Sequence, residues 1–197
     1  MRSLDFVLAG VGGQGILLAS DILCRVGMAL GYDVKKSDVH GMAQRGGSVI
    51  SHVRLADQVF SPLVPLGGAD FLLGFEKLEA CRWAGYLRPG GVAVVNDEAI
   101  PTLPLVERTP YPDDATIERI LRARAGRVLF IPAGRLASQL GDQRVTNVIL
   151  LGALSCLVDS ALEVWQQAVA ERVPPKAREL NLRAFATGRA QVGNSLA

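Results

Sequence analysis

Cysteine is scarce in this chain: Cys24, Cys81 and Cys156 lie far apart, each among apolar neighbours. Iron–sulfur and zinc sites need thiolates or imidazoles at close spacing, so neither is expected here. An odd, scattered set of thiols in a chain without a signal sequence points to a reducing cytoplasm. No apolar run approaches the ~20 residues of a membrane span. The apolar stretch after Met1-Arg2-Ser3 is too short for the core of a signal peptide, so a cytoplasmic protein with no membrane partner is expected. An excess of one charge is also missing: 21 Lys and Arg face 19 Asp and Glu. Without a concentrated basic face, no nucleic-acid partner is expected, and Arg122 and Arg124 read as a solvated helix surface.

What remains is an ordinary globular composition, 49% hydrophobic over 197 residues, enough for one buried core. Leu4 to Ala9 is a short apolar run ending in glycines, the pattern of a buried parallel strand. Ile16 to Leu30 repeats apolar residues at helical spacing and stops at Gly31. Asp33 to Lys36 reads as a second strand and Ser37 to Gly47 as a loop. Ser48 to Arg54 alternates as a strand, with Gln58 to Phe60 as a hairpin partner. Strands are then expected at 71–75, 92–96 and 128–131. Helices are expected at 77–87, 115–124, 146–157, 162–172 and 176–188. Pro89-Gly90-Gly91 reads as a turn, and the prolines of 101–112 exclude regular helix. The alternation predicts an α/β fold: a Rossmann-like, doubly wound, mostly parallel sheet flanked by helices, with a β-hairpin insertion. A single domain is expected over 1–188, with 189–197 as a frayed tail.

Two loops carry chemical promise. Gly10-Val11-Gly12-Gly13-Gln14-Gly15 has GxGxxG spacing between a strand and a helix, giving a tight turn and a helix N-terminus that attracts anions. The acid that would hold a ribose after the second strand is replaced by Lys35 and Lys36, with Asp38 late. NADP remains open on that pattern, as does a purely architectural glycine turn. In the second loop, Arg45-Gly46-Gly47-Ser48 offers a guanidinium, bare amides and a hydroxyl, and His40 and Gln44 stand just before it. Glu76 and Asn96 follow strand ends, the usual functional edge; Glu76 equally suits the start of a helix.

Together, Gly10-Val11-Gly12-Gly13-Gln14-Gly15 and Val39-His40-Gly41-Met42-Ala43-Gln44-Arg45-Gly46-Gly47-Ser48 closely resemble the gamma-type domain of 2-oxoacid:ferredoxin oxidoreductases, most of all the beta subunit of the indolepyruvate type. Leu73 to Ala80, Asn147 with Leu150-Leu151-Gly152-Ala153, and Asn181 to Phe185 extend the resemblance over residues 4 to 188. It implies an enzyme subunit with no tightly bound cofactor. Thiamine diphosphate, Mg and 4Fe–4S clusters would sit in a large partner subunit, and ferredoxin would be reached through that partner. The implied reaction is oxidative decarboxylation of an arylpyruvate, coenzyme A taking the acyl group. The resemblance names no catalytic residue in this chain. Its two loops would face the partner near the 2-oxoacid or coenzyme A entrance, with Arg45 and the Gly12–Gly15 amides toward an anion. An isolated subunit would expose an apolar patch and self-associate. A self-sufficient Rossmann-type enzyme binding NADP or flavin, and a non-catalytic interaction module, are the competing readings.

Overall fold

The computed structural model describes residues 3–40, 47–100 and 110–193. Among them are a six-stranded sheet and seven α-helices. The strands are β1 (Leu4–Val11), β2 (Asp33–His40), β3 (Ser48–Ala56), β4 (Ala69–Gly74), β5 (Leu87–Asn96) and β6 (Arg127–Ile131). The helices are α1 (Ile16–Ala29), α2 (Lys77–Trp83), α3 (Asp114–Arg122), α4 (Ala133–Gln139), α5 (Thr146–Ser155), α6 (Leu162–Arg172) and α7 (Arg178–Gly193). The sheet runs β2-β3-β1-β4-β5-β6. β1, β4, β5 and β6 are parallel, and β3 is antiparallel to both β1 and β2. This is the mostly parallel, doubly wound α/β architecture that the sequence predicts.

Strands buried on both faces explain the continuous apolar runs. Phe6, Leu8, Val53, Leu73 and Val94 meet helices α1, α4, α5, α6 and α7 on one face. Val7, Ala9, Leu72, Ala93 and Val95 meet α2 and α3 on the other. α5 lies deepest: every residue from Asn147 to Ser155 is buried. It crosses α7 through two glycines. A Cβ on Gly188 would stand 1.8 Å from the Ile149 carbonyl oxygen, and one on Gly152 would stand 2.1 Å from that of Phe185.

Several expectations are corrected. β2 continues to His40 instead of yielding to a loop at Ser37. Its polar residues are matched across the hairpin, with Ser51 Oγ donating to Asp38 at 2.6 Å and Lys36 pairing with Asp38 and Asp21. The hairpin partner of β3 is therefore β2, not Gln58–Phe60. That segment is instead drawn onto the sheet by the Val59 N–H donating to Asp33 and the Val64 N–H donating to His52 Nδ1. Leu87 already pairs with Ala69, so β5 runs through the predicted Pro-Gly-Gly turn. α2 stops at Trp83, and a short 3-10 turn, Ala84–Tyr86, leads into that strand. The last helix runs past 188 to Gly193, with Val192 fully buried. Most of the proline-rich stretch, 101–109, lies outside the described residues.

Candidate functional site

The carboxyl ends of β1, β4, β5 and β6 share one edge of the sheet, and β3 begins there, Ser48 pairing with Val11. At this edge β1 turns through Gly12–Gly15 into α1. Gly13 and Gly15 hold φ of 103° and 77°, left-handed values that glycine adopts without strain. Gly10 is required by space: a Cβ there would meet that of Phe75 at 2.6 Å. Gly15 caps α1 with no side chain assisting, so the first-turn N–H groups are left for an external acceptor. Among the described residues, neither the Gly13 nor the Gly15 N–H makes a backbone hydrogen bond. The Gly12 N–H donates to the Gly47 carbonyl at 2.8 Å. That bond brings the end of the second glycine-rich segment against the first, although they are more than thirty residues apart in sequence.

Beside the loop is a cleft of about 370 Å³, walled by Gly13–Gly15 and Leu18 on one side, Glu98 and Ile100 on another, and Gln143, Arg144, Thr146 and Asn147 on a third. Asn147 Nδ2 donates to the Gly15 carbonyl at 3.1 Å and fixes α5 to the glycine turn. Arg144 is highly exposed and grips Asp142 through Nε and Nη2. That guanidinium holds the Asp142 carboxyl down to about 2. The cleft therefore offers free amides and a helix N-terminus on one wall, suited to phosphate or carboxylate, while the Arg144 guanidinium on another keeps donors to spare but has its charge matched by Asp142.

Of the residues singled out by sequence, several form its frame. Gln14 accepts from the Val11 N–H at 2.7 Å and donates to the Phe75 carbonyl at 2.9 Å. Asn96, fully buried, donates to the same carbonyl and to Glu98, and it accepts from the Ala133 and Gly134 N–H groups, capping α4 from outside. One chain of amide hydrogen bonds thus ties together the ends of β1, β4 and β5. Glu76 is 1% exposed and spends its carboxylate on the Glu79 N–H, the Ile100 N–H and the Tyr111 hydroxyl. Burial, together with that bond and the Glu76 charge, pushes the Tyr111 phenol far above its ordinary value. Ser48 donates to Glu79, which also receives Arg82 and the Trp83 indole. Glu76, Asn96, Gln14 and Ser48 hold the edge together rather than line the cleft with free groups, save for the part of Gln14 that borders it. Gln44, Arg45 and Gly46 lie outside the described residues, as does the side chain of His40.

Sequence reasoning did not place Glu98, Gln143, Arg144 and Thr146 at the site, and it treated Asn147 only as a family match. The local signal for Asn147 was a lone amide at the head of an otherwise apolar helix. Lys35 and Lys36 are paired with Asp33 and with Asp21 and Asp38. Because β3 separates β1 from β2, the end of β2 is about 10 Å across the sheet from the glycine turn, two strand spacings away. A ribose held in the usual Rossmann position would find no acid at the adjacent strand. Burial raises the Cys24 and Cys81 thiols to about 11, which removes them as nucleophiles near neutral pH. Among the described residues, no group of three or more His, Cys, Asp or Glu is placed to hold a metal ion. No helix among them is long and apolar enough to cross a membrane.

The family model described as pyruvate ferredoxin/flavodoxin oxidoreductase matches residues 5–191. The chain is 40% identical over 192 residues to the indolepyruvate oxidoreductase subunit IorB of Pyrococcus horikoshii, covering 95% of each. It is 27% identical over 186 residues to the 2-oxoglutarate synthase subunit KorC of Methanothermobacter thermautotrophicus, covering 92% of this chain and 91% of that one. The solved gamma subunit of a keto/oxoacid ferredoxin oxidoreductase from Geobacter sulfurreducens matches with a TM-score of 0.70 at 26% identity, over 95% of this chain and 97% of that one. The chain therefore belongs to the pyruvate ferredoxin/flavodoxin oxidoreductase family, as a homologue of the indolepyruvate oxidoreductase IorB subunits over nearly its whole length.

Proposed function

We propose that this chain is the small subunit of an indolepyruvate-type 2-oxoacid:ferredoxin oxidoreductase, and that its glycine-rich edge forms part of the coenzyme A entrance. The overall reaction converts a 2-oxoacid, coenzyme A and two oxidised ferredoxins into acyl-CoA, CO2, a proton and two reduced ferredoxins. Thiamine diphosphate with Mg supplies the carbanion chemistry and 4Fe–4S clusters the electron path; in this reading both belong to the larger partner subunit. The residues of this chain bind and orient. The observation that carries the reading is the Gly12–Gly47 hydrogen bond, which joins the end of the second segment to the glycine turn that walls the cleft.

The Gly13 and Gly15 amides and the α1 N-terminus would receive a phosphate, with Arg45 supplying charge and Arg144 further N–H donors. Glu98 would accept a hydroxyl or amino donor of the same ligand, since a carboxylate there opposes a second anion. Phe60 and Leu66, 88% and 75% exposed, support a covered surface in the assembled enzyme and self-association when the partner is absent. This reading places the protein in the cytoplasm, with ferredoxin docking on the partner.

Arg45→Ala and Arg144→Ala test the role in the assembled enzyme. Each is expected to raise the coenzyme A KM roughly five- to twenty-fold, equal to about 1–2 kcal/mol, with kcat and assembly little changed. An unchanged coenzyme A KM in both variants, or loss of assembly with a normal KM, would overturn the coenzyme A role and leave an interface.

A further inference from the structure

At the opposite end of the sheet is a second cavity, of about 360 Å³, that the proposed function does not use. We propose that it binds an organic amine: an apolar, preferably aromatic body carrying one positive charge. Its lining is mixed, with apolar side chains on two sides and Asp70, Arg88 and Asp159 among them. Phe71 and Val92 from the amino ends of β4 and β5 form one side, while Tyr32 after α1 and Leu157 after α5 form the other. Phe71 is stacked on Phe6 at 5.2 Å, so that wall is rigid.

The electrostatics select the charge of the head group. Asp159 lines the cavity, is exposed, and has no ion pair or hydrogen-bond partner among the described residues. The one guanidinium on the wall, Arg88, is already balanced by Asp70, to which its Nε donates at 2.8 Å. α1 and α5 both end beside the cavity, and neither has a basic residue in its last turn. The Arg189 guanidinium stands at the end of α5, donating to Ser155 Oγ at 2.8 Å, so the preference for a cationic head rests on the unpaired Asp159. The Tyr32 hydroxyl likewise has no partner among the described residues, leaving an acceptor next to an aromatic face that favours a cation. The balance is a concave, partly apolar site on which one unpaired carboxylate and one free hydroxyl converge, the usual make-up of a small-ligand pocket. A neutral isostere would lose the charge pairing, and an anion would meet repulsion from Asp159.

Three probes of nearly equal shape separate these cases: phenethylamine, 2-phenylethanol and 3-phenylpropionate, titrated into the full chain and followed by amide NMR. Phenethylamine is expected to shift the amides of Tyr32, Phe71 and Leu157–Asp159 saturably, binding at least about fivefold more tightly than the alcohol, with the acid weaker still. Asp159→Asn, at an exposed position, should reduce phenethylamine to the affinity of the alcohol. Leu157→Trp, which fills the cavity, should abolish the shifts from all three. Equal binding of the three probes, shifts centred elsewhere, or no saturation would overturn the proposal. None of these outcomes depends on oxidoreductase activity.

Discussion

Replacing Gly188 with Ala is expected to lower the unfolding free energy by roughly 3 kcal/mol or more, a fall in Tm of about 6–12 °C for a domain of this size. The added methyl would need to occupy space 1.8 Å from the Ile149 carbonyl oxygen and 3.1 Å from the Ala153 nitrogen. Both are backbone atoms of a buried helix, so no side-chain rotation can make room. α5 must then move away from α7, and α5 also carries Asn147, whose amide holds the glycine turn. The variant should therefore loosen the cleft as well as the core, and any residual complex should show a raised coenzyme A KM. Gly193→Ala, on the same helix, meets nothing within 4 Å and should be neutral or slightly stabilising. If urea unfolding gave both substitutions the same stability, the α5–α7 contact described above would be wrong.

The second large effect concerns Glu76. Its buried carboxylate accepts from three donors, one of them the Glu79 N–H at the start of α2. Glu76→Ala loses a helix cap worth about 1 kcal/mol and strands further buried donors at about 1–3 kcal/mol each. Removal of the desolvation cost of a buried charge offsets part of this. A net loss of roughly 3 kcal/mol is expected. Glu76→Gln, which keeps one acceptor oxygen, should lose about half as much. Turnover of whatever enzyme assembles should track the folded fraction. A turnover collapse in Glu76→Gln with unfolding unchanged would make Glu76 a catalytic residue instead of a structural one.

The sequence made the first β-turn-α unit legible because its determinants are local. Gly13 and Gly15 answer the left-handed backbone of the turn itself, and the apolar period of α1 follows directly; Gly10 answers distant Phe75, and only its place in the GxGxxG spacing marked it. The same locality made the α/β alternation readable, since strands buried on both faces appear as unbroken apolar runs. The errors arose where partners were distant. Ser37-Asp38-Val39-His40 is too polar to look like a strand until Ser51 and Asp21 are set against it. α4 was not anticipated: it has seven residues, includes Gly134, and takes its cap from Asn96 on another strand. The wall of the cleft from Gln143 to Asn147 lies about 130 residues from the glycine turn, so no local pattern joins them. Glu76 and Asn96 do lie at the carboxyl ends of β4 and β5, but only their burial and bonding reveal that their polar atoms are already committed. The family resemblance was legible for a different reason: it rests on two glycine-rich segments in order along the chain, which can be read without knowing any distant partner.

The central claim is that this chain completes an active site whose cofactors lie in a larger subunit. Reconstitution tests it most directly. The purified chain would be mixed with its larger subunit, and anaerobic, coenzyme A-dependent reduction of viologen by indolepyruvate would be followed. Activity that appears only when both chains are present, and that rises to saturation at a fixed ratio of the two, is the predicted result. Full activity of the larger subunit alone, with no effect on adding this chain, would contradict the account.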